Sequence, residues 1–395
     1  MTRVHLSKRA NLLKPSPTLA MGTKAKQMKA DGVDVVSFAA GEPDFDTPAK
    51  IIGAAKAALD AGKTRYSPTP GTIELREAVA AKFSRENGLD YKPTETMVST
   101  GAKQCVYNAV QVLVDEGDEV IVPAPFWMTY ESQIELAGGR TVVVPSNMAE
   151  GFVPDLDRIA GAVNSRTKAI VLNTPSNPTG AAMPIEWLRA VAELAVKNDL
   201  WIISDEIYEH LTYGHEHVSV ATISKEVKDR TVTVSGCSKS YAMTGWRIGF
   251  VAGPQDVIKA MTDLQDQVTS GATTFSQSGA LAALSLDRAE VEAMRAIFET
   301  RRDLIVRLLR EIPGVEVLLP KGAFYVFPDV SAFLGGKVAG DLLLADHLLE
   351  EAKVATVPGS VFYGPGHLRL SYACSEREIE EGVSRLASAL EKIRR

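Results

Sequence analysis

The chain has 395 residues, 45% of them apolar and 23% charged, and carries a net charge of −6. That is enough apolar chain for a large core divided over two domains, and the mild acidity argues against nucleic acid or an anionic membrane as a partner. Three scattered cysteines (Cys105, Cys237 and Cys374) are too few for a disulfide framework or a zinc site, so no metal is expected.

No apolar run approaches the ~20 residues that span a bilayer. Arg3, Lys8, Arg9 and Lys14 precede the first acid, Asp31, but no apolar leader stretch accompanies them, and a cytoplasmic location is expected. The segment Thr100-Gly101-Ala102-Lys103-Gln104 opens an apolar helical run over 105–114. The first amides of such a helix point at whatever lies ahead of it.

Beyond it, β-branched runs predict strands over 119–122, 142–144, 168–172, 200–203, 231–234 and 248–252. Helices are expected over 155–163 and 184–197, the second with Pro184 in its first turn. Strands that are apolar on both faces and separated by helices predict a mainly parallel sheet covered on both sides. After Gly279 the texture changes. A charged helix over 289–311 is followed by strand-like 314–317 and 323–327, a helix over 341–352, a strand over 368–371 and a helix from Glu376, an α+β pattern.

Open parallel sheets bind ligands at the carboxyl ends of their strands, so the residues past each strand carry the most information. After 231–234 comes Ser235-Gly236-Cys237-Ser238-Lys239, then Gly245-Trp246-Arg247-Ile248-Gly249. Small neighbours admit a planar ligand, and hydroxyls with one arginine suit a phosphate. A lysine beside another cation loses proton affinity and becomes an amine nucleophile. Together these residues point to a lysine that forms a Schiff base with a phosphate-bearing aldehyde.

The segment from Ser238 to Gly249 resembles the lysine segment of class I aminotransferases, enzymes of fold type I that use pyridoxal 5′-phosphate. The similarity runs from about Lys14 past Arg369. It implies a large cofactor domain over 49–288 with a seven-stranded, mainly parallel sheet. It also implies a small α+β domain over 289–395, and an N-terminal segment, 1–48, that joins the small domain and the substrate lid.

Residue by residue, the resemblance makes Lys239 the catalytic lysine. Asn177, in Asn177-Pro178-Thr179-Gly180, and Tyr208, in Asp205-Glu206-Ile207-Tyr208, fall to the cofactor's phenolic oxygen. Asp205 falls to the pyridine nitrogen and Trp127 to the ring face. Gly101, Ala102, Lys103, Ser238 and Arg247 form the phosphate cup, with Tyr66 reaching into the site of a partner subunit, which implies a homodimer with shared sites.

On the substrate side the resemblance gives Arg369, with Gly41, to the α-carboxylate, and brings Trp127 and Asn177 into contact with the substrate. Lys103, with Ser16 and Thr18, resembles the bacterial aspartate aminotransferase subgroup, in which such a lysine binds the distal carboxylate. Lys14 resembles a residue associated with acceptance of prephenate. The expected substrates are thus amino acids and 2-oxo acids. Aspartate and 2-oxoglutarate come first, with bifunctional aspartate/prephenate or aromatic specificity as alternatives and a cofactor-binding regulatory domain as a remote one. Read without the resemblance, Arg369 in its alternating strand is better explained by an internal salt bridge.

Overall fold

The computed structural model describes residues 6–13, 17–336 and 338–394, with the side chains of 17–19 excepted. Its centre is a seven-stranded sheet: β1 (Thr96–Ser99), β2 (Glu119–Pro123), β3 (Arg140–Val144), β4 (Thr167–Asn173), β5 (Trp201–Asp205), β6 (Thr231–Gly236) and β7 (Gly249–Ala252), in the order β1-β7-β6-β5-β4-β2-β3. All pairings are parallel except the two made by β7. Six of these strands are the expected runs; β1 is only four residues long, with Met97-Val98 as its apolar part, and is not among them.

Alternation along each strand divides the core into layers. Val120, Val122 and Val171 face helix α2 (Ala102–Leu113) through Val106, Ala109 and Val110. Their neighbours Ile121, Ile170 and Leu172 face Trp187, Leu188 and Val191 on the opposite side. A third cluster packs Leu75, Val79 and Phe83 of α1 (Ile73–Asn87) on Val98, Phe250 and Ala252.

A separate core joins the two ends of the chain. Val35, Val36 and Phe38 pack with Phe298 and Ile305 of α3 (Arg288–Arg310), with Phe324 and Tyr372, and with Leu386 of α4 (Glu376–Arg394). Val36–Ser37 pairs in parallel with Val354–Ala355, and Leu368–Ser371 lies antiparallel between Val357–Pro358 and Tyr325–Val326.

Three expectations differ locally. Residues 314–317 bury Val315 and Val317 but form no strand, because among the described residues their ladder pairing is limited to the reciprocal bridge between Glu316 and Asp329. Pro184 is the extended cap before helix Ile185–Lys197 rather than part of its first turn. The helix at Asp341–His347 continues as a π-turn over Leu348–Ala352 and stops at Lys353, which has a φ of 58°. Among the described residues no helix is long and apolar enough to cross a membrane.

Candidate active site

The carboxyl edge of the sheet borders a cavity of about 740 Å³ closed on its other side by the core that joins the chain ends. Trp127 beyond β2, Asn173 and Asn177 from β4, Asp205 and Tyr208 from β5, Ser238 and Lys239 beyond β6, and Arg247 before the antiparallel β7 all line it. Gly41 and Glu42, Tyr325 and Arg369 complete the far wall.

Lys239 donates from Nζ to the Gly41 carbonyl and lies 5.5 Å from the Phe324 ring centre. Burial pushes its ammonium down to about 8, with Arg369 and Arg247 pushing the same way against the opposing pull of Glu42 and Asp205. The neutral amine is therefore accessible near physiological pH.

Asp205 is buried and accepts a 2.7 Å hydrogen bond from the Tyr130 hydroxyl and a longer one from the Ile207 amide. Burial pushes its carboxyl up to about 6, although both hydrogen bonds oppose the shift. Burial also holds Tyr130 and Tyr208 protonated, so both hydroxyls are available as donors. Tyr208 and Tyr325 meet hydroxyl to hydroxyl at 3.0 Å. The Asn173 amide bonds the Asp205 carbonyl at 2.9 Å, and its oxygen receives the Asn177 amide at 2.9 Å, which fixes the proline-rich turn against β5.

Arg369 is 3% exposed. Its guanidinium donates to Asn177 Oδ1 at 2.9 Å and to the Ala39 carbonyl at 3.1 Å, and it lies against Tyr325 and Phe362. Nε is buried with no acceptor, and among the described residues no carboxylate pairs with this cation. The salt-bridge reading of the sequence is therefore replaced by a buried cation that lacks its anion.

At the other end of the cavity, helix α2 starts against β7. Gly101 caps it with a φ of 90°, and a Cβ there would sit 2.5 Å from the Arg247 guanidinium. A Cβ on Gly249 would lie 2.2 Å from the Ala102 nitrogen, so only glycine allows the helix terminus this close. The Ala102 and Lys103 amides begin the helix with no turn before them to bond. Among the described residues, Arg247 donates to the Thr244 and Thr100 carbonyls alone. Lys103 Nζ stands 4.8 Å over the Trp127 ring, and burial together with Arg247 lowers its proton affinity.

Of the residues singled out in the sequence, Gly41, Ala102, Lys103, Trp127, Asn177, Asp205, Tyr208, Ser238, Lys239, Arg247 and Arg369 converge on this cavity, and Gly101 caps the helix beside it. Tyr66 does not line it and is 95% exposed. Lys14 and Ser16 lie outside the described residues, as does the side chain of Thr18. Sequence reasoning missed Tyr130, Asn173 and Tyr325. Asn173, the last residue of β4, carries the strand-end signal, whereas the two tyrosines read as core aromatics.

The family pattern "Aminotransferase class I and II" matches residues 33–386. A probable aspartate/prephenate aminotransferase of Aquifex aeolicus is 50% identical over 99% of this chain and 100% of its own length. An aspartate aminotransferase of Geobacillus stearothermophilus is 47% identical over 98% and 99%. The solved structure of Thermus thermophilus aspartate aminotransferase with maleate superposes with a TM-score of 0.94 at 46% identity, covering 98% of this chain and 100% of that one. The chain belongs to the class I and II aminotransferase family, of fold type I.

Proposed function

We propose that this family member is a pyridoxal-phosphate-dependent aspartate aminotransferase. It would transfer the amino group of L-aspartate to 2-oxoglutarate, giving oxaloacetate and L-glutamate. The observation that carries the reading is Arg369, a buried guanidinium with an idle Nε, no carboxylate partner among the described residues, and a place on the same cavity as Lys239. A buried cation needs an anion, and a substrate carboxylate supplies one in bidentate geometry.

The cofactor fits the remaining residues. Asp205 is a buried carboxylate that a pyridinium nitrogen would balance, and the helix terminus at Ala102 and Lys103, with Ser238 and Arg247, offers amides, a hydroxyl and a cation to a phosphate. When bound, the cofactor supplies an electron sink for the pair left by breaking the substrate's Cα–H bond. Lys239 would hold the cofactor and, as an amine of lowered proton affinity, would take the substrate's Cα proton and deliver it. Asn177 and Tyr208 would hold the cofactor's phenolic oxygen and Trp127 its ring, and Gly41 would let backbone approach the substrate carboxylate.

Lys103 supplies the charge for the distal carboxylate, which is supported by its lack of a carboxylate partner among the described residues and by the dicarboxylate maleate named with the Thermus relative. The exposed Tyr66 supports a homodimer in which it completes the neighbour's site. Three cysteines buried as free thiols suit a reducing, cytoplasmic setting. The Aquifex relative's name supports a second activity on prephenate. Steady-state turnover of aspartate, phenylalanine, alanine and prephenate with matched acceptors is the test. Aspartate should have the highest kcat/KM, and a leading value for alanine would reject the dicarboxylate reading.

A further inference from the structure

The turn that carries Asp205 and Tyr208 has a second face. Glu206 and Glu209 point away from the cavity into a buried polar cluster. Glu206 accepts from Ser204 and Ser219 at 2.8 Å each and meets His217 Nε2 at 2.9 Å. Glu209 pairs with the fully buried Lys82 of α1, accepts from Asn87 at 2.8 Å, and accepts on its other oxygen from Ser235 at 2.6 Å. Glu86 adds a 3.8 Å contact to Lys82 and bonds His210 at 2.9 Å. Ligand atoms of Glu206, Glu209 and His217 lie within 4.8 Å of one another, but both carboxylates already hold their donors and Lys82 supplies the positive charge, so the cluster is complete without a metal ion.

Ser235 belongs to β6, and the chain runs on from it through Ser238 to Lys239. Glu209 directly follows Tyr208. One carboxylate therefore fastens three pieces together: helix α1, the turn bearing Asp205 and Tyr208, and the strand that delivers Lys239.

We propose that Glu209 is a positioning residue, which sets the spacing between Lys239 and the Asp205–Tyr208 turn by holding Ser235 and Lys82 at once. The inference rests on the aminotransferase reading above. A carboxylate suits this task because it accepts several hydrogen bonds in fixed directions, and burial makes each of them costly to break. Burial alone would raise the Glu209 pKa, but Lys82 and the neighbouring histidines hold it well below the usual carboxylate range, so the side chain stays ionised at neutral pH.

The test compares the pyridoxal-phosphate-loaded parent with Ser235→Ala, which cuts only the link to β6, and with Glu209→Gln. The readouts are pyridoxal phosphate affinity, the pH midpoint of the absorbance of cofactor bound to Lys239, aspartate kinetics and the melting temperature. Displacing Tyr208 from the phenolic oxygen should weaken cofactor binding about tenfold in Ser235→Ala and raise the absorbance midpoint by about half a unit. In the same variant kcat should fall while KM for aspartate stays within about twofold, since Arg369 is untouched. Unchanged affinity and midpoint in Ser235→Ala, whatever the melting temperature does, would overturn the proposal. If Glu209→Gln does not fold, Ser235→Ala alone decides. A parent that neither binds pyridoxal phosphate nor transfers amino groups would instead overturn the aminotransferase reading itself.

Discussion

Lys82 and Arg369 are both cations removed from water, at 0% and 3% exposure, and they stand on opposite sides of the turn that holds Asp205 and Tyr208. Lys82 is surrounded by anions and amides: Glu209, Asn87 and Glu86. Among the described residues Arg369 bonds neutral oxygens alone and leaves Nε idle. Lys103 and Lys239 share that condition, each without a carboxylate partner among the described residues. On the rear face the chain satisfies its own charges and gains rigidity. On the front face Arg369, Lys103 and Lys239 have no direct carboxylate partner among the described residues, although Glu42 and Asp205 line the same cavity, and the proposed function gives that charge to acids from outside.

Substitutions can break this contrast. The largest effect belongs to Lys239→Ala, which on the proposed function removes both tether and base. Turnover should fall by at least about 10³-fold together with the cofactor's lysine-bound absorbance; full activity would reject the role. Arg369→Leu should lower kcat/KM for aspartate about 10²- to 10³-fold through two lost charged hydrogen bonds, yet leave the cofactor-free chain equally or more stable. Lys82→Met should do the reverse, destabilising the fold by about 3–5 kcal/mol in denaturant titration through the stranded Glu209. Equal stability losses in both variants would erase the distinction. Lys103→Ser should weaken dicarboxylic substrates about tenfold more than alanine, seen as a change in the ratio of the two kcat/KM values.

The smallest effect is on acid stability. Glu209 has a depressed folded pKa, so its contribution is present above its ordinary value of 4.5 and is lost progressively as pH falls below it. Glu209→Gln should therefore flatten the decline of unfolding free energy between about pH 5 and 3. A parent-like slope would remove Glu209 as its source.

The same contrast explains what could be read without coordinates. Asn177, Asp205 and Lys239 follow apolar strands, where function in a parallel sheet concentrates, and their motifs are local in sequence. Arg369 alternates with Leu368 and Leu370, and that pattern revealed its burial but not whether an anion met it. Lys82 lies in Ala81-Lys82-Phe83-Ser84-Arg85, outside every motif the sequence offered, and its burial rests on the distant Glu209 with nearby Glu86 and Asn87. Tyr130 was hidden for the same reason, since its partner Asp205 is 75 residues away. Strand β1 escaped because its apolar part is only Met97-Val98, too short a run to stand out before its pairing with β7 is seen.

The most direct single measurement is the melting temperature of the pyridoxal-phosphate-loaded parent and of Arg369→Leu during titration with maleate. A ligand that binds only the folded chain raises its stability with concentration. The parent should climb steadily and Arg369→Leu should stay flat across the same range. An equal rise in both, or none in the parent, would contradict the claim that Arg369 waits for a substrate carboxylate.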